Sequence, residues 1–176
     1  QRVFMRLHRI DLKSGAAELV DGVSQYTSVT QVAMATSNRI AFIGSAPSVP
    51  TRVVYLDIVS DSSRVVARSR SEDLLPADLS QPTALTWRTA GLEQGHGLFY
   101  PPTSSRYTGI GRPPLMVIVH GGPTSQARAT FSLEAQFFTS RGYAVLYVNH
   151  RGSTGYGREY MLKQRGKWGE VDVQDA

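Results

Sequence analysis

The chain has 176 residues, of which 41% are hydrophobic and none is cysteine, and its formal net charge is +5. The basic residues are scattered, which argues against a nucleic-acid-binding face, and the lack of cysteine excludes disulfides and thiolate metal sites. No apolar run reaches the ~20 residues of a membrane helix. We therefore expect neither nucleic acid nor membrane as a partner, and we place the chain in the cytoplasm by default.

Residues 1–82 are predicted to form antiparallel β-structure. Apolar and polar residues alternate over 6–12, a polar turn follows, and a short return strand is predicted at 17–20. Further strands are predicted at 29–34, 40–44, 53–58 and 65–67.

One short pattern occurs twice in this part of the chain. Ile10-Asp11-Leu12 and Leu56-Asp57-Ile58 each end an alternating strand and precede a polar turn. Their spacing falls within the ~40–50 residues of a propeller blade. Two copies of a short pattern also arise by chance, so both interpretations stay open.

A polar segment at 69–81, with Pro76 inside it and Pro82 after it, marks the predicted domain boundary. A hairpin is predicted from strands at 83–88 and 96–100. A loop rich in Ser, Gly and Pro then leads to residue 114.

The most informative stretch is the apolar run 115–119, which ends at His120, Gly121, Gly122 and Pro123. A continuous apolar run is typical of a strand that is buried on both faces, as in a parallel sheet. Pro123 has no N–H, so the free backbone donors belong to the two glycines. A buried strand that ends in such glycines is how an α/β-hydrolase builds half of its oxyanion hole.

A βαβ unit is predicted next. A helix over 131–141 should stop at Gly142 and lead into an apolar strand at 143–148, parallel to 115–119. The helix is expected to bury an apolar stripe made of Phe131, Leu133, Ala135, Phe137 and Phe138. The glycine-rich loop 149–157 then lies at the carboxyl end of a parallel strand, where ligands bind in open α/β sheets. A short helix over 158–164 follows.

No residue of the chain has the signature of a catalytic nucleophile or base. The Gly-x-Ser-x-Gly elbow of this fold is absent, and Ser153 has Arg151 where the elbow needs a small residue, so we interpret Ser153 as a loop serine. His120 precedes any elbow, whereas the base of this fold follows it, so we assign His120 to holding loop backbone. His96 and His150 lack metal-ligand spacing and are interpreted as ordinary polar positions. No cofactor and no metal are predicted.

Three segments together resemble a known family. Residues 120–123, 141–145 and 149–157 are similar to the prolyl oligopeptidase family of serine peptidases, and most similar to its acylaminoacyl-peptidase and dipeptidyl-aminopeptidase-like branch. The resemblance is specific over 115–175. It implies that 83–176 is the first, βαβ part of an α/β-hydrolase domain with a mainly parallel sheet, truncated before the nucleophile elbow. It also implies that 1–82 forms the terminal blades of an antiparallel β-propeller.

The resemblance also implies a site. The backbone N–H of Gly122 is the expected oxyanion donor, within an oxyanion loop that includes Gly121. The loops beside the substrate are expected to contain His120, Pro123, Arg151 and Tyr156, with Arg151 in a structural ion pair. The Ser, Asp and His of the family lie beyond the matched region, so the chain alone is expected to be inactive. His150 is a departure, because the family often has Tyr or Pro there.

The implied function is that of a serine peptidase that forms an acyl-enzyme and releases acylaminoacyl or dipeptidyl units from the N-termini of short peptides. The implied partners are those peptides and the remainder of the hydrolase domain. Further copies of the same protein, in a homo-oligomer, are a third possible partner. Two alternatives stay open: an esterase of the same fold, and a non-catalytic interaction module.

Overall fold

The computed structural model describes residues 3–71, 74–122 and 124–176. Their contacts form two compact units. The first contains the described residues of 3–73 together with 129–131, and the second contains those of 74–128 and 132–176. The division falls inside the polar segment that was predicted to carry the domain boundary. The assignment of 1–82 and 83–176 to a propeller and a hydrolase domain stays a prediction.

In the described residues strands precede the first α-helix, and α-helices occur only after the strand that ends at Val119. These strands and helices are β1 His8–Ile10, β2 Ala17–Leu19, β3 Ser28–Thr36, β4 Arg39–Ala46, β5 Val49–Asp57, β6 Ser62–Arg68, β7 Thr83–Arg88, β8 Gln94–Tyr100, β9 Leu115–Val119, α1 Leu133–Thr139, β10 Ala144–Asn149, α2 Arg158–Leu162 and α3 Val171–Asp175. None of the described helices is long and apolar enough to cross a membrane.

The first unit consists of a hairpin and a four-stranded meander. β1 pairs with β2, and β3, β4, β5 and β6 pair in sequence order, all antiparallel. The prediction of antiparallel strands over this part of the chain is therefore confirmed.

The core of the first unit lies on the two central strands of the meander. Ile40 pairs with Leu56 and Phe42 pairs with Val54 across β4 and β5, and all four side chains are at most 5% exposed. Tyr26 meets the Phe42 ring edge to face, with centroids 5.7 Å apart. Cross-strand pairs of this kind are the main packing unit of a sheet.

The two copies of the short sequence pattern adopt the same local structure. Asp11 follows β1, and its carboxylate accepts the N–H groups of Lys13 and Ser14. Asp57 ends β5, and its carboxylate accepts the N–H groups of Val59 and Ser60. In each case the backbone donors lower the pKa of the carboxyl group, and each turn leads into an antiparallel return strand.

The second unit contains a four-stranded sheet with the order β7-β8-β10-β9. β9 and β10 are parallel neighbours, with Leu115 opposite Ala144 and Val119 opposite Val148. α1 connects them, so the predicted βαβ unit is confirmed. The described sheet is mixed rather than mainly parallel, because the β7–β8 hairpin adds two antiparallel pairings.

The burial predicted for the strand 115–119 is wrong in this chain. Leu115, Val117 and Val119 are 51%, 40% and 43% exposed, whereas Val145 and Val148 on β10 are fully buried. β9 is an edge strand of the described sheet and pairs only with β10. An edge strand with one uncovered face keeps half of its side chains in contact with solvent.

The predicted apolar stripe on α1 is also partly wrong. The side chains buried on this helix belong to Ala135, Gln136 and Thr139, while Leu133 and Phe137 are 56% and 49% exposed. Gln136 is tolerated inside because its amide exchanges two hydrogen bonds with the backbone of Ser80, at 2.7 and 3.0 Å. A buried amide that satisfies both of its polar ends has little desolvation cost left.

Candidate active-site loops

Two loops meet at the carboxyl ends of the parallel strands β9 and β10 in the second unit. The first follows β9 and covers residues 120–128, and the second follows β10 and covers 150–157. Because β9 and β10 are parallel neighbours, their carboxyl ends lie side by side, which is where ligands bind in open α/β sheets. The structure therefore brings His120 and the glycine-rich loop together.

His120 links the two loops directly. Its Nε2 lies 2.7 Å from the Ser153 hydroxyl, and its Nδ1 lies 3.4 Å from the Gly121 carbonyl oxygen. A carbonyl only accepts, so we assign the ring proton to Nδ1. Nε2 then accepts a hydrogen bond from the Ser153 hydroxyl. The prediction that His120 contacts loop backbone agrees with this geometry, although the stronger of the two bonds is to a side chain.

The imidazole of His120 is held in its neutral form. Partial burial lowers its pKa, and the neighbouring His150 lowers it further, whereas the contact with the Gly121 carbonyl acts in the opposite direction. The His120 and His150 rings are stacked, with centroids 4.5 Å apart and planes at 28°. A neutral ring keeps the Nε2 lone pair available to Ser153.

A second set of hydrogen bonds ties the far side of the 120–128 loop to the end of β10. The Asn149 carboxamide accepts from Ala127 N at 2.7 Å and donates to Ala127 O at 3.0 Å. Thr154 N donates to Ser125 O at 2.9 Å, and the Thr154 hydroxyl donates to Gln126 Oε1 at 3.0 Å. Asn149 is fully buried, and both polar ends of its carboxamide are satisfied by these bonds.

Gly121 and Gly122 lie between these two sets of ties. Both are exposed, and, chain neighbours apart, a Cβ added to either would meet no atom of the described residues within 4 Å. Gly122 has φ = 72°, a backbone conformation that favours glycine. Over 3–71, 74–122 and 124–176, no hydrogen bond from the Gly122 N–H is seen. Pro123 lies outside the described residues, and the roles predicted for these positions stay predictions.

Arg151 forms the structural ion pair that was expected for it. Its guanidinium nitrogens lie 2.9–3.1 Å from the Asp175 carboxylate, and its backbone N–H donates to the same carboxylate at 2.6 Å. The Arg151 and Asp175 side chains are 8% and 0% exposed. A buried charge pair of this kind fixes the start of the glycine-rich loop against α3, and loss of one partner typically costs about 3–5 kcal/mol.

Tight backbone packing shapes the rest of this loop. Gly152 has φ = 111°, and a Cβ there would lie 2.1 Å from Gln164 Oε1. The N–H of Gly152 donates to Tyr160 O at 3.1 Å, and the Tyr160 hydroxyl donates to Asn149 O at 2.8 Å. Only glycine fits this conformation and this spacing.

Tyr156 is packed on a histidine of β8. The Tyr156 and His96 rings are stacked with centroids 4.4 Å apart, and the Tyr156 hydroxyl accepts from Asn149 Nδ2 at 3.1 Å. The prediction that His96 and His150 are ordinary polar positions is wrong, since they are only 6% and 2% exposed. Ring stacking and hydrogen bonds, which sequence spacing does not reveal, keep both buried.

A serine hydroxyl beside an imidazole has the geometry of a nucleophile and its base. Ser153 is fully buried, however, so a substrate carbonyl cannot reach its Oγ. Within the part of the chain that the structure describes, no three His, Asp or Glu side chains are arranged to hold a metal ion. The arrangement therefore fits the positioning of a backbone loop.

The sequence interpretation missed three residues of this site. Ser153 was recognised only as a loop serine, while Asn149 and Asp175 were assigned no role. Their partners lie 22–33 residues away in sequence. The one local signal was the polar residue Asn149 at the end of an apolar strand.

Comparison with known proteins identifies the chain's relatives. Residues 129–176 match the prolyl oligopeptidase family. An uncharacterized peptidase of Bacillus subtilis, YuxL, is 44% identical over 63 residues, or 36% of this chain and 10% of its own length. The acylamino-acid-releasing enzyme of Sus scrofa is 38% identical over 87 residues, or 49% of this chain and 12% of its own length.

Solved structures resemble nearly the whole chain. A puromycin-hydrolyzing peptidase of Mycobacterium tuberculosis superposes with a TM-score of 0.93 and 34% identity. That match covers 99% of this chain and 27% of the solved chain. The chain thus spans about a quarter of the length of this solved relative and about a tenth of the curated ones. The resemblance to the prolyl oligopeptidase family is confirmed.

Proposed function

Because residues 129–176 match the prolyl oligopeptidase family, we propose that the chain is a portion of a serine peptidase and supplies half of the oxyanion hole. One observation carries the proposal: Gly122, with φ = 72° and an open environment, lies three residues after the end of the parallel strand β9. Its loop is tied on both sides to the loop after β10. Backbone donors held in this way are suited to a developing oxyanion.

In the proposed reaction a serine from outside this chain attacks the substrate carbonyl, with a histidine taking its proton. The carbonyl oxygen becomes an oxyanion and accepts a hydrogen bond from the Gly122 N–H. A second hydrogen bond comes from the backbone N–H of the residue after the nucleophile. The histidine gives the proton to the leaving amine as the intermediate collapses, which leaves an acyl-enzyme, and water then hydrolyses this ester to the free acid and the serine hydroxyl. One oxyanion donor typically contributes about 2.7–4 kcal/mol.

We assign the first unit to terminal blades of a propeller that precedes the catalytic domain. Two features support this assignment: the four-stranded antiparallel meander β3–β6 and the repeated aspartate turn after β1 and β5. In such an enzyme the propeller restricts the active site to short peptides. The esterase and the interaction module receive no support from the relatives described above.

The substrate is proposed to be a short peptide from which an acylaminoacyl or dipeptidyl unit is released. The acylamino-acid-releasing enzyme among the relatives supports this class. A second candidate is puromycin, because the puromycin-hydrolyzing peptidase matches 99% of this chain at 34% identity. Turnover of an N-acetylated peptide, a free dipeptidyl amide and puromycin by the full-length protein would separate these candidates.

The test of the proposal uses a fluorophosphonate probe, which labels activated serines. We expect stoichiometric labelling of the full-length protein at one serine outside this chain, and no labelling of the isolated chain, Ser153 included. An unlabelled and inactive full-length protein would contradict the peptidase assignment. Labelling at Ser153, located by peptide mass mapping, would show that the buried loop serine is a nucleophile.

A further inference from the structure

We propose that Ser153, acting through His120, is the positioning residue that sets the location of the oxyanion donor. This inference rests on the proposed function, because it needs Gly122 to be that donor. It adds a side chain whose predicted role was only that of a loop residue. It requires no chemistry at Ser153 itself.

The glycines at 121 and 122 are open on the side where a Cβ would lie. Chain neighbours apart, no atom of the described residues lies within 4 Å of a Cβ built on either glycine, so no neighbouring group packs against them there. Their location depends on the two places where the loop is held. One is the bond between His120 and Ser153, and the other is the set of bonds at residues 125–127.

The first of these places is the nearer one to the donor along the chain. His120 is two residues before Gly122, whereas Ser125 is three residues after it. His120 also contacts the Gly121 carbonyl through Nδ1. A shift of the imidazole therefore moves the peptide units that present the Gly121 and Gly122 N–H groups.

Ser153 is a rigid point of attachment. It is fully buried, and its own N–H donates to His150 O at 2.9 Å. Its neighbours are fixed as well, since Gly152 N bonds to Tyr160 O and Thr154 N bonds to Ser125 O. The hydrogen bond from the Ser153 hydroxyl to His120 thus fixes the exposed loop 120–128 relative to the packed loop 150–157.

The orientation of the His120 ring is set from two directions. His150 stacks on its face at 4.5 Å, and the hydroxyl of Ser153 donates to its edge at 2.7 Å. Stacking alone also permits a ring flipped by a half-turn about Cβ–Cγ, whereas the hydrogen bond defines which edge points to Ser153. The lowered pKa of His120 keeps this acceptor available at neutral pH.

Loss of the hydroxyl should therefore affect the transition state more than substrate binding. A displaced oxyanion donor weakens only the interaction made with the tetrahedral intermediate, which lowers kcat and leaves KM nearly unchanged. A misplacement of about 1 Å typically costs up to about 100-fold in rate. A purely structural role would instead lower thermal stability without changing turnover per intact site.

The experiment compares Ser153→Ala with Ser80→Ala in the full-length peptidase, with active sites counted by titration. Ser80 is an equally buried serine whose hydroxyl donates to Pro101 O at 2.6 Å. Both variants lose one buried hydrogen bond, so both should lose stability. We expect kcat to fall about 10–100-fold in Ser153→Ala alone, with KM within about twofold of wild type.

A second pair of variants covers the case in which Ser153→Ala folds poorly. His120→Gln places an amide where Nε2 now lies, whereas His120→Asn reaches only the position of Nδ1. We expect His120→Gln to retain at least about tenfold more kcat than His120→Asn. Both substitutions remove the stacking on His150, so equal losses would overturn the proposal.

The outcomes separate this inference from the function on which it rests. An active wild type whose kcat per titrated site is unchanged by Ser153→Ala overturns the positioning role and leaves the peptidase intact. A wild type with neither turnover nor probe labelling overturns the proposed function and this inference with it. A selective loss of kcat in Ser153→Ala and His120→Asn supports both.

Discussion

At the scale of single residues, Gly122 has a positive φ, an exposed backbone and, chain neighbours apart, no described residue within 4 Å of a built Cβ. Gly15 shares these properties, but its N–H donates to Asp11 O at 2.8 Å. Among the described residues no hydrogen bond from the Gly122 N–H is seen, so this donor is available to a ligand. The same openness means that a side chain added here would point into solvent or into the space of a substrate.

Gly122→Val in the full-length peptidase tests this property. A β-branched residue at φ = 72° costs about 1–2 kcal/mol of backbone strain, and relief of that strain would turn the N–H away from the oxyanion. We expect kcat to fall by up to about 10²–10³-fold, the loss typical for one oxyanion donor. Steady-state kinetics with a chromogenic peptide would measure it.

Gly15→Val is the matched control for that substitution. Gly15 has φ = 73° and also has no atom within 4 Å of a built Cβ, but it lies in the turn between β1 and β2 in the other unit. The backbone strain is the same, so the loss of stability should be similar while kcat stays unchanged. Equal kcat in the two variants would remove the oxyanion role from Gly122.

At the scale of elements, the loop 150–157 owes its shape to close packing under its first turn. The side chain of Gln164 occupies the space where a Cβ of Gly152 would lie, and Arg151 is fixed by the buried carboxylate of Asp175. The loop is therefore packed from below. This packing supports Ser153 and Thr154, which hold the neighbouring loop together with Asn149 at the end of β10.

Gly152→Ala should destabilise the protein more than Gly157→Ala. Both glycines have positive φ, at 111° and 94°, but a Cβ at Gly157 meets no atom within 4 Å. We expect about 1–3 kcal/mol of strain in each variant, and a further 1–3 kcal/mol or so of overpacking at Gly152 alone. Urea denaturation of the two variants gives the difference, and equal midpoints would contradict the packing described here.

At the scale of the whole molecule, β9 leaves apolar surface uncovered. Leu115, Val117 and Val119 lie on one face of an edge strand and are each 40–51% exposed. Exposed apolar edge strands promote pairing with another chain. The remainder of the hydrolase domain is our proposed partner for this edge.

The isolated chain is therefore expected to associate with itself in solution. Val117→Lys should reduce this association by placing a charge on the exposed strand, whereas Val59→Lys, at an exposed valine in the turn between β5 and β6, should not. Sedimentation velocity at several concentrations measures the effect. A monodisperse wild-type chain at all concentrations would show that β9 is not an association site.

The sequence alone indicated most of the strands and helices and the resemblance to the prolyl oligopeptidase family. Alternation of apolar and polar residues predicted the antiparallel strands, because side chains on a strand alternate between its faces. The apolar runs around a helical segment predicted the parallel pair β9 and β10, since a βαβ unit has few other solutions. The motifs at 120–123 and 149–157 carried the family resemblance, because they lie at the ends of those strands.

Tertiary structure decided how deeply residues are buried and which loops are joined. The same apolar sequence can form a central strand or an edge strand. The exposure of 115–119 therefore depends on which strands lie beside it, and its own sequence does not decide this. Likewise, the bond from Ser153 to His120 and the ion pair between Arg151 and Asp175 join residues that are 33 and 24 positions apart. Such contacts form only when β9, β10 and α3 are packed, because the short range of hydrogen bonds requires the atoms to be brought together first.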